Sequence, residues 1–162
     1  MKEKNWVLIS ASLLIFVVAL PAQWLAGQAA GGGDDNPDAS PPVTKADVRI
    51  VQRAREILNS PSKWNRADTR ACPADAKTFS LYCALEKATS EVSSKFEHRG
   101  AAMQEARFVI DDIAPHRKNY HHRLMDYNND PTTTFADVQK FFRLLEDRIS
   151  TRLRDESQGR NK

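Results

Sequence analysis

The chain has 162 residues, 41% of them hydrophobic, with 24 Lys and Arg against 21 Asp and Glu, four His and two Cys. That is enough for one domain around one core. Without its first thirty residues, which hold Lys2, Glu3 and Lys4, the chain keeps 22 basic and 20 acidic side chains, and so near-neutral a balance excludes the concentrated basic surface that captures nucleic acid.

The chain opens Met1-Lys2-Glu3-Lys4-Asn5 and then runs uncharged and apolar from Trp6 to Leu20, the pattern of an export signal. At ~1.5 Å per residue the run covers roughly 22 Å, short of the ~30 Å hydrocarbon core. Two fates stay open. Cleavage after Ala22 leaves a soluble chain, whereas an uncleaved segment places Trp6 and Trp24 ~27 Å apart, near the spacing of the two interfacial aromatic belts, and tethers the chain to the inner membrane through residues 6–24. In both, Lys2 and Lys4 stay inside and the rest is translocated, so the chain is expected to be extracytoplasmic or periplasmic. No Cys lies near the segment, which excludes a lipoprotein anchor. Residues 31–43 (GGGDDNPDASPPV) hold three Gly, three Pro and three Asp, a composition that predicts a flexible linker.

From Thr44 onward the apolar residues recur at helical spacing and show no sustained alternation. The expected fold is all-α, with four to five helices over residues 44–153. Thr44 and Asp47 have capping-box spacing, and Val48, Val51, Ala54 and Leu58 share one face until Asn59-Ser60-Pro61 stops the helix. A second helix is expected over 76–93, with Leu81, Leu85, Ala88 and Val92 in register. A third runs over 98–114, carrying Met103, Ala106, Ile110 and Ile113 and ending at Pro115. A short helix is predicted near 119–127. The last opens at Thr134 with Asp137 and bears the stripe Phe135, Val138, Phe142, Leu145 and Ile149. Trp64, Phe79, Phe96, Phe108 and Tyr120 are expected to add bulk to the core. The polar tail over 154–162 is expected to fray.

Cys72 and Cys83 are the only cysteines, and an even pair in an exported chain reads as a disulfide. An oxidising compartment opposes the alternative, Cys83 as a nucleophilic thiolate. No glycine-rich phosphate loop, zinc-spaced Cys/His set or nucleophile signature occurs, so neither a cofactor nor a metal is implied. The densest polar stretch is His116 to Asp130, HRKNYHHRLMDYNND, with three of the four histidines. On a short helix His122 and Asp126 stand at i and i+4, and Asp130 on the adjoining loop could converge on them. That makes His122, Asp126 and Asp130 the candidate catalytic residues, with His121 beside them. Zinc normally needs three protein ligands, which this set does not supply. Tyr127-Asn128-Asn129-Asp130-Pro131 also has turn chemistry, since Asn and Asp bond neighbouring backbone groups and Pro fixes φ. A polar loop between two helices can hold a ligand as well, so Asn128, Asn129 and Asp130 are the ligand-binding candidates. Adjacent Asp111 and Asp112 diverge by about 100° on a helix and cannot share a proton. Arg49, Arg53, Arg55 and Glu56 read as a solvated face.

Trp64, then Cys83-Ala84-Leu85, then Tyr127-Asn128-Asn129-Asp130 with threonines and a final amphipathic helix resembles an uncharacterised bacterial and phage helical domain family of unknown function. Its members carry a Trp near the end of the first helix, a Cys-containing second helix and a Trp-Asn-Asp motif before the last. The resemblance spans Val48 to Arg148. Here Tyr-Asn-Asn-Asp replaces Trp-Asn-Asp, the usual Gly after the Cys is absent, and an export segment is added. It implies a recurrent fold and directs attention to Asn129 and Asp130, without an activity.

Two functions follow. The first is a non-enzymatic, exported or membrane-tethered helical module that binds an envelope partner or ligand or has a structural role in the cell envelope. The second is an envelope hydrolase or metal-dependent enzyme built on His121, His122, Asp126 and Asp130.

Overall fold

The computed structural model describes residues 39–159. The expected export segment, its expected cleavage site, the Trp6 and Trp24 spacing and the expected linker up to Asp38 therefore lie outside the described residues, as do the last three positions. Among the described residues there are five α-helices and two 3-10 turns, with no strand beyond a single bridge between Trp64 and Phe79. The fold is all-α, as expected. No described helix is long and apolar enough to cross a membrane.

Helix α1 (Lys45–Ile57) starts with the anticipated box. The Thr44 hydroxyl accepts from Ala46 N–H at 3.2 Å, and the Asp47 carboxylate accepts from Thr44 N–H at 2.8 Å. The other Asp47 oxygen accepts from Ala102 N–H at 3.1 Å. That amide lies in the first turn of α3 (Ala101–Ile113), whose own N-cap, Gly100, brings no side-chain acceptor. One buried carboxylate thus satisfies orphan donors at the starts of two helices. At the other end of α1, Gln139 donates to the Leu58 carbonyl at 2.8 Å.

Helix α2 (Leu81–Ser93) begins later than residue 76, because Ser80 is its N-cap, accepting from Cys83 N–H at 3.1 Å. The residue before that cap is held extended: Phe79 N–H donates to the Lys63 carbonyl at 2.8 Å and Asn65 N–H to the Phe79 carbonyl at 2.9 Å. Such pairing cannot coexist with helix. Ser94 closes α2 in the left-handed region, φ 58°. The short helix is displaced from the predicted 119–127. Residues Arg117–Asn119 form a 3-10 turn and α4 follows at Arg123–Asn129.

Helix α5 (Phe135–Gly159) supplies most of the core. It packs on α1 and α3, while α2 sits between α1 and α4. Val138, Phe142, Leu145 and Ile149 are fully buried, and so is Phe141, which completes an aromatic pair with Phe142 at 5.2 Å between ring centroids. Trp64, Phe79, Phe96 and Tyr120 pack only partly buried against this centre, because they stand in loops or at element ends. Phe108 lies on the flank of α3 beneath the Arg148 guanidinium.

Two sequence boundaries are revised by one cluster. The Glu105 side chain, 1% exposed, accepts from Ser40 at 2.6 Å and from Arg148 at 2.6 Å, and is also bonded by Arg152. Burial alone would push this carboxyl up, but those hydrogen bonds together hold it below its ordinary range. Arg152 continues to Glu156 at 2.8 Å, and Glu156 accepts from Val43 N–H at 3.2 Å. Residues Ser40 to Val43, expected to belong to the linker, are therefore tied to α3 and α5, with Val43 in the core. The same ties carry α5 through the stretch expected to fray from Arg154, as far as Gly159.

Candidate functional site

The Asn-Asn-Asp motif forms a latch. Asn128, completely buried, sits in the last turn of α4. Its amide oxygen accepts from the Trp64 indole N–H at 2.8 Å and from Leu81 N–H at 3.1 Å, while its amide nitrogen donates to the Asn65 carbonyl at 2.9 Å. Asn129 pairs with the backbone of Asp68 on both sides, accepting from its N–H at 2.7 Å and donating to its carbonyl at 2.8 Å. Arg66 stacks over Trp64 at 5.1 Å and donates to the Asp130 carbonyl at 3.1 Å. Together these hold the long segment between α1 and α2 against α4. The Cys72–Cys83 disulfide, with its Cα atoms 5.3 Å apart, pins the far side of that segment to the first turn of α2. Within the segment, Asp68 is 4% exposed; one oxygen accepts from Arg70 N–H, and the other has no hydrogen-bond partner among the described residues.

The structure pairs Asp130 with a different histidine from the two anticipated. The Asp130 carboxylate accepts from His116 Nδ1 at 2.8 Å and from the Tyr120 hydroxyl at 2.8 Å. It also accepts from the Thr132 hydroxyl at 2.6 Å and from Thr132 N–H at 2.9 Å. The Thr132 hydroxyl above all, against the opposing effect of burial, and then His116, Thr132 N–H and Tyr120 hold this carboxyl far below the usual carboxylate range. Tyr120 is in turn raised by burial and by Asp130. Asp126 does not reach the His122 ring either. Its carboxylate accepts from His121 N–H at 2.6 Å and His122 N–H at 2.7 Å, so it fixes the backbone entering α4. Among the described residues no three His, Cys, Asp or Glu side chains are gathered to hold a metal ion.

His121 and His122 are instead both exposed on the wall of a cleft of about 380 Å³ lined by the segment before α2, the middle of α3, the 3-10 turn after it and α4. Four arginines line it, Arg70, Arg107, Arg117 and Arg123, together with His98 and Tyr82, and among the described residues no carboxylate does. Asp111 accepts from Arg117 and, at 3.0 Å, from Arg123, so one anion is shared by two of the four cations. Arg107 has only neutral partners among the described residues. It donates to Gln104 at 2.9 Å, to the His98 carbonyl at 2.9 Å and to His98 Nε2 at 3.1 Å. Burial, then the positive charge of Arg123, lowers its pKa below the ordinary arginine value. Because an arginine only donates, His98 Nε2 must accept, which assigns the ring proton to Nδ1, 3.5 Å from the Tyr82 oxygen. Burial and then Arg107, Arg70 and Arg99 hold His98 below its ordinary pKa and therefore neutral at pH 7.

Sequence reading missed the cleft because its arginines stand far apart along the chain and the overall charge is nearly balanced. Only one local signal was present: the run of basic residues from His116 to Arg123, which faces this cavity at several positions.

Residues 42–148 match the family model DUF6197, a family of unknown function. No curated protein and no solved structure matches the chain. The match covers more than half of the chain, which therefore belongs to the DUF6197 family.

Proposed function

We propose that this member of a family without an assigned activity is an extracytoplasmic binding module, delivered by its N-terminal apolar segment and stapled by its disulfide, with the arginine-lined cleft as its recognition surface. The observation that carries the reading is the charge imbalance in that cleft. Four guanidiniums face a concave space of ligand size, and among the described residues Arg70 and Arg107 have no carboxylate partner there. Elsewhere the conspicuous polar side chains, Asn128, Asn129, Asp126 and Asp130, hold the chain to itself. The disulfide supports the compartment, since such bonds persist where thiols are not kept reduced.

Two measurements test the two halves. Intact mass of the protein from its own host under non-reducing conditions should be lower by two hydrogens, with the first twenty-two residues removed or retained according to cleavage or tethering; two free thiols would refute export. For the cleft, a fluorescent sulfonate dye should bind the full-length chain and be released by salt, and binding should fall in Arg70→Asn and in Arg117→Gln. Dye binding indifferent to both substitutions would refute the cleft as the recognition surface.

The second reading, an envelope hydrolase, gains one specific observation. Asp130 holds His116 through Nδ1 and the ring is half-exposed, a carboxylate–imidazole pair of the kind a general base uses. Hydrolysis of ester or phosphoester probes lost in His116→Ala but kept in His122→Ala would favour it.

A further inference from the structure

The cleft's cations are unequal, and the inequality selects a ligand. Arg117 and Arg123 are bound to Asp111 and so present a partly neutralised pair. Arg107 is half-buried, held in place by Gln104 and His98 with no carboxylate partner among the described residues. Arg70 stands at the rim, exposed, on a residue with φ 59° that directs the chain around the disulfide loop. A guanidinium in a partly desolvated site favours an anion more strongly than one in water, because the intervening dielectric is lower. Holding Arg107 there without a counter-ion is costly unless an anion arrives.

Resting on the cleft as the recognition surface, we propose that it binds a phosphate monoester, with the phosphoryl group on Arg107 and Arg70 and the organic part against Tyr82 and Met125. The charge count separates this class from a simple carboxylate. Arg107 and Arg70, neither with a carboxylate partner among the described residues, present two positive charges that one monoanion only partly offsets, whereas a monoester dianion carries up to two charges and offers three terminal oxygens to forked guanidinium donors. Tyr82 is half-buried and flanked by Phe96 and His98 at 6.1 Å each, so it gives a fixed aromatic wall rather than a mobile one. The volume, about 380 Å³, suits a small organic phosphate rather than a polymer. The phosphate can belong to a free ester or to a lipid headgroup, and the cleft recognises the same group in both.

The test is calorimetric titration of the full-length chain with phenyl phosphate and, separately, phenylacetate at fixed ionic strength. Phenyl phosphate should bind about tenfold more tightly than phenylacetate, and Arg70→Asn and Arg107→Gln should each weaken it about tenfold or more. Asn tolerates the left-handed backbone at position 70, so that variant removes a guanidinium without adding strain. It keeps the test decisive if Arg107→Gln unfolds, which near-ultraviolet circular dichroism would show. Phenylacetate binding as tight as phenyl phosphate, and lost in Arg70→Asn, would overturn the phosphate assignment while leaving the cleft as the recognition surface. Failure of both ligands to bind, or binding unchanged in Arg70→Asn, would overturn the proposal. Vesicles of phosphatidylcholine with and without phosphatidic acid separate the sources. Extra binding to phosphatidic acid that disappears in Arg70→Asn assigns a lipid headgroup, and binding of phenyl phosphate alone assigns a soluble ester. The Arg70 variant retains the N-terminal segment and so controls for its insertion into the vesicles.

Discussion

Replacing Asn128 by Ala should be among the most damaging single substitutions in the domain. The side chain is completely buried and joins Trp64, Asn65 and Leu81 to α4. Its removal leaves the indole N–H, the first backbone N–H of α2 and the Asn65 carbonyl without partners. An unpaired buried group costs roughly 1–3 kcal/mol, so three of them, with partial hydration at the cavity edge, amount to about 3–6 kcal/mol. For a small domain that is a large part of the total stability. Urea unfolding of the full-length chain followed by circular dichroism measures it. Trp64→Phe removes the indole N–H together with part of the ring, and because the lost hydrogen bond is common to both variants the double variant should lose less than the two single losses added, by about 1–3 kcal/mol. Asn128→Asp keeps an acceptor for the indole but turns an oxygen toward the Asn65 carbonyl and the Asn129 amide oxygen, and should cost nearly as much as Ala. A loss under about 1 kcal/mol for Asn128→Ala, or a stable Asn128→Asp, would refute the latch.

Four further outcomes follow from the same structure. Glu105→Gln leaves Arg148 and Arg152 facing a neutral amide and should cost about 2–3 kcal/mol in urea unfolding, near the low end for a broken buried pair because both guanidiniums reach solvent. Asp130 has a depressed folded pKa, so its contribution is full above its unfolded value and is lost as pH falls toward the folded one. The stability gap between wild type and Asp130→Asn should be constant near neutrality and shrink below about pH 4, and a gap unchanged at lower pH would contradict the assignment. Replacing Cys72 and Cys83 together by Ala should cost about 3 kcal/mol for a loop of this length, measured by thermal or urea unfolding. Phe142→Ala should cost roughly 3–5 kcal/mol through the cavity it opens, and a loss below about 1 would mean that the stripe on α5 is not core.

The parts of the fold legible in the sequence are those decided by neighbours along the chain. The Thr44 and Asp47 box, the stripe on α5 and the stop at Pro115 all operate within a turn or two, and the structure has each of them where the pattern placed it. The start of α2 was not legible, because residue 79 is held extended by Lys63 and Asn65, two positions on a distant loop. Asp130 illustrates the same limit at the candidate site. Helical spacing suggested His122 and Asp126, yet the histidine that reaches Asp130 is His116, brought across by a 3-10 turn that periodicity does not encode. The cleft was hidden for an electrostatic reason: net charge averages over the surface, whereas a site depends on which charges the fold segregates.

The latch also imposes an order on a chain made from its N-terminus. The two cysteines are separated by 11 positions, so both have been synthesised before α2 is complete. Asn128, by contrast, follows its partners Trp64 and Leu81 by 64 and 47 positions. If the chain crosses the membrane N-terminus first, the looped segment can be closed covalently on the far side while the side chain that seats it has yet to emerge. The nascent domain therefore passes through an interval in which the Trp64 indole and the first turn of α2 wait for α4, an interval that lengthening the connection before α4 would extend and that a polypeptide truncated ahead of residue 123 would never leave.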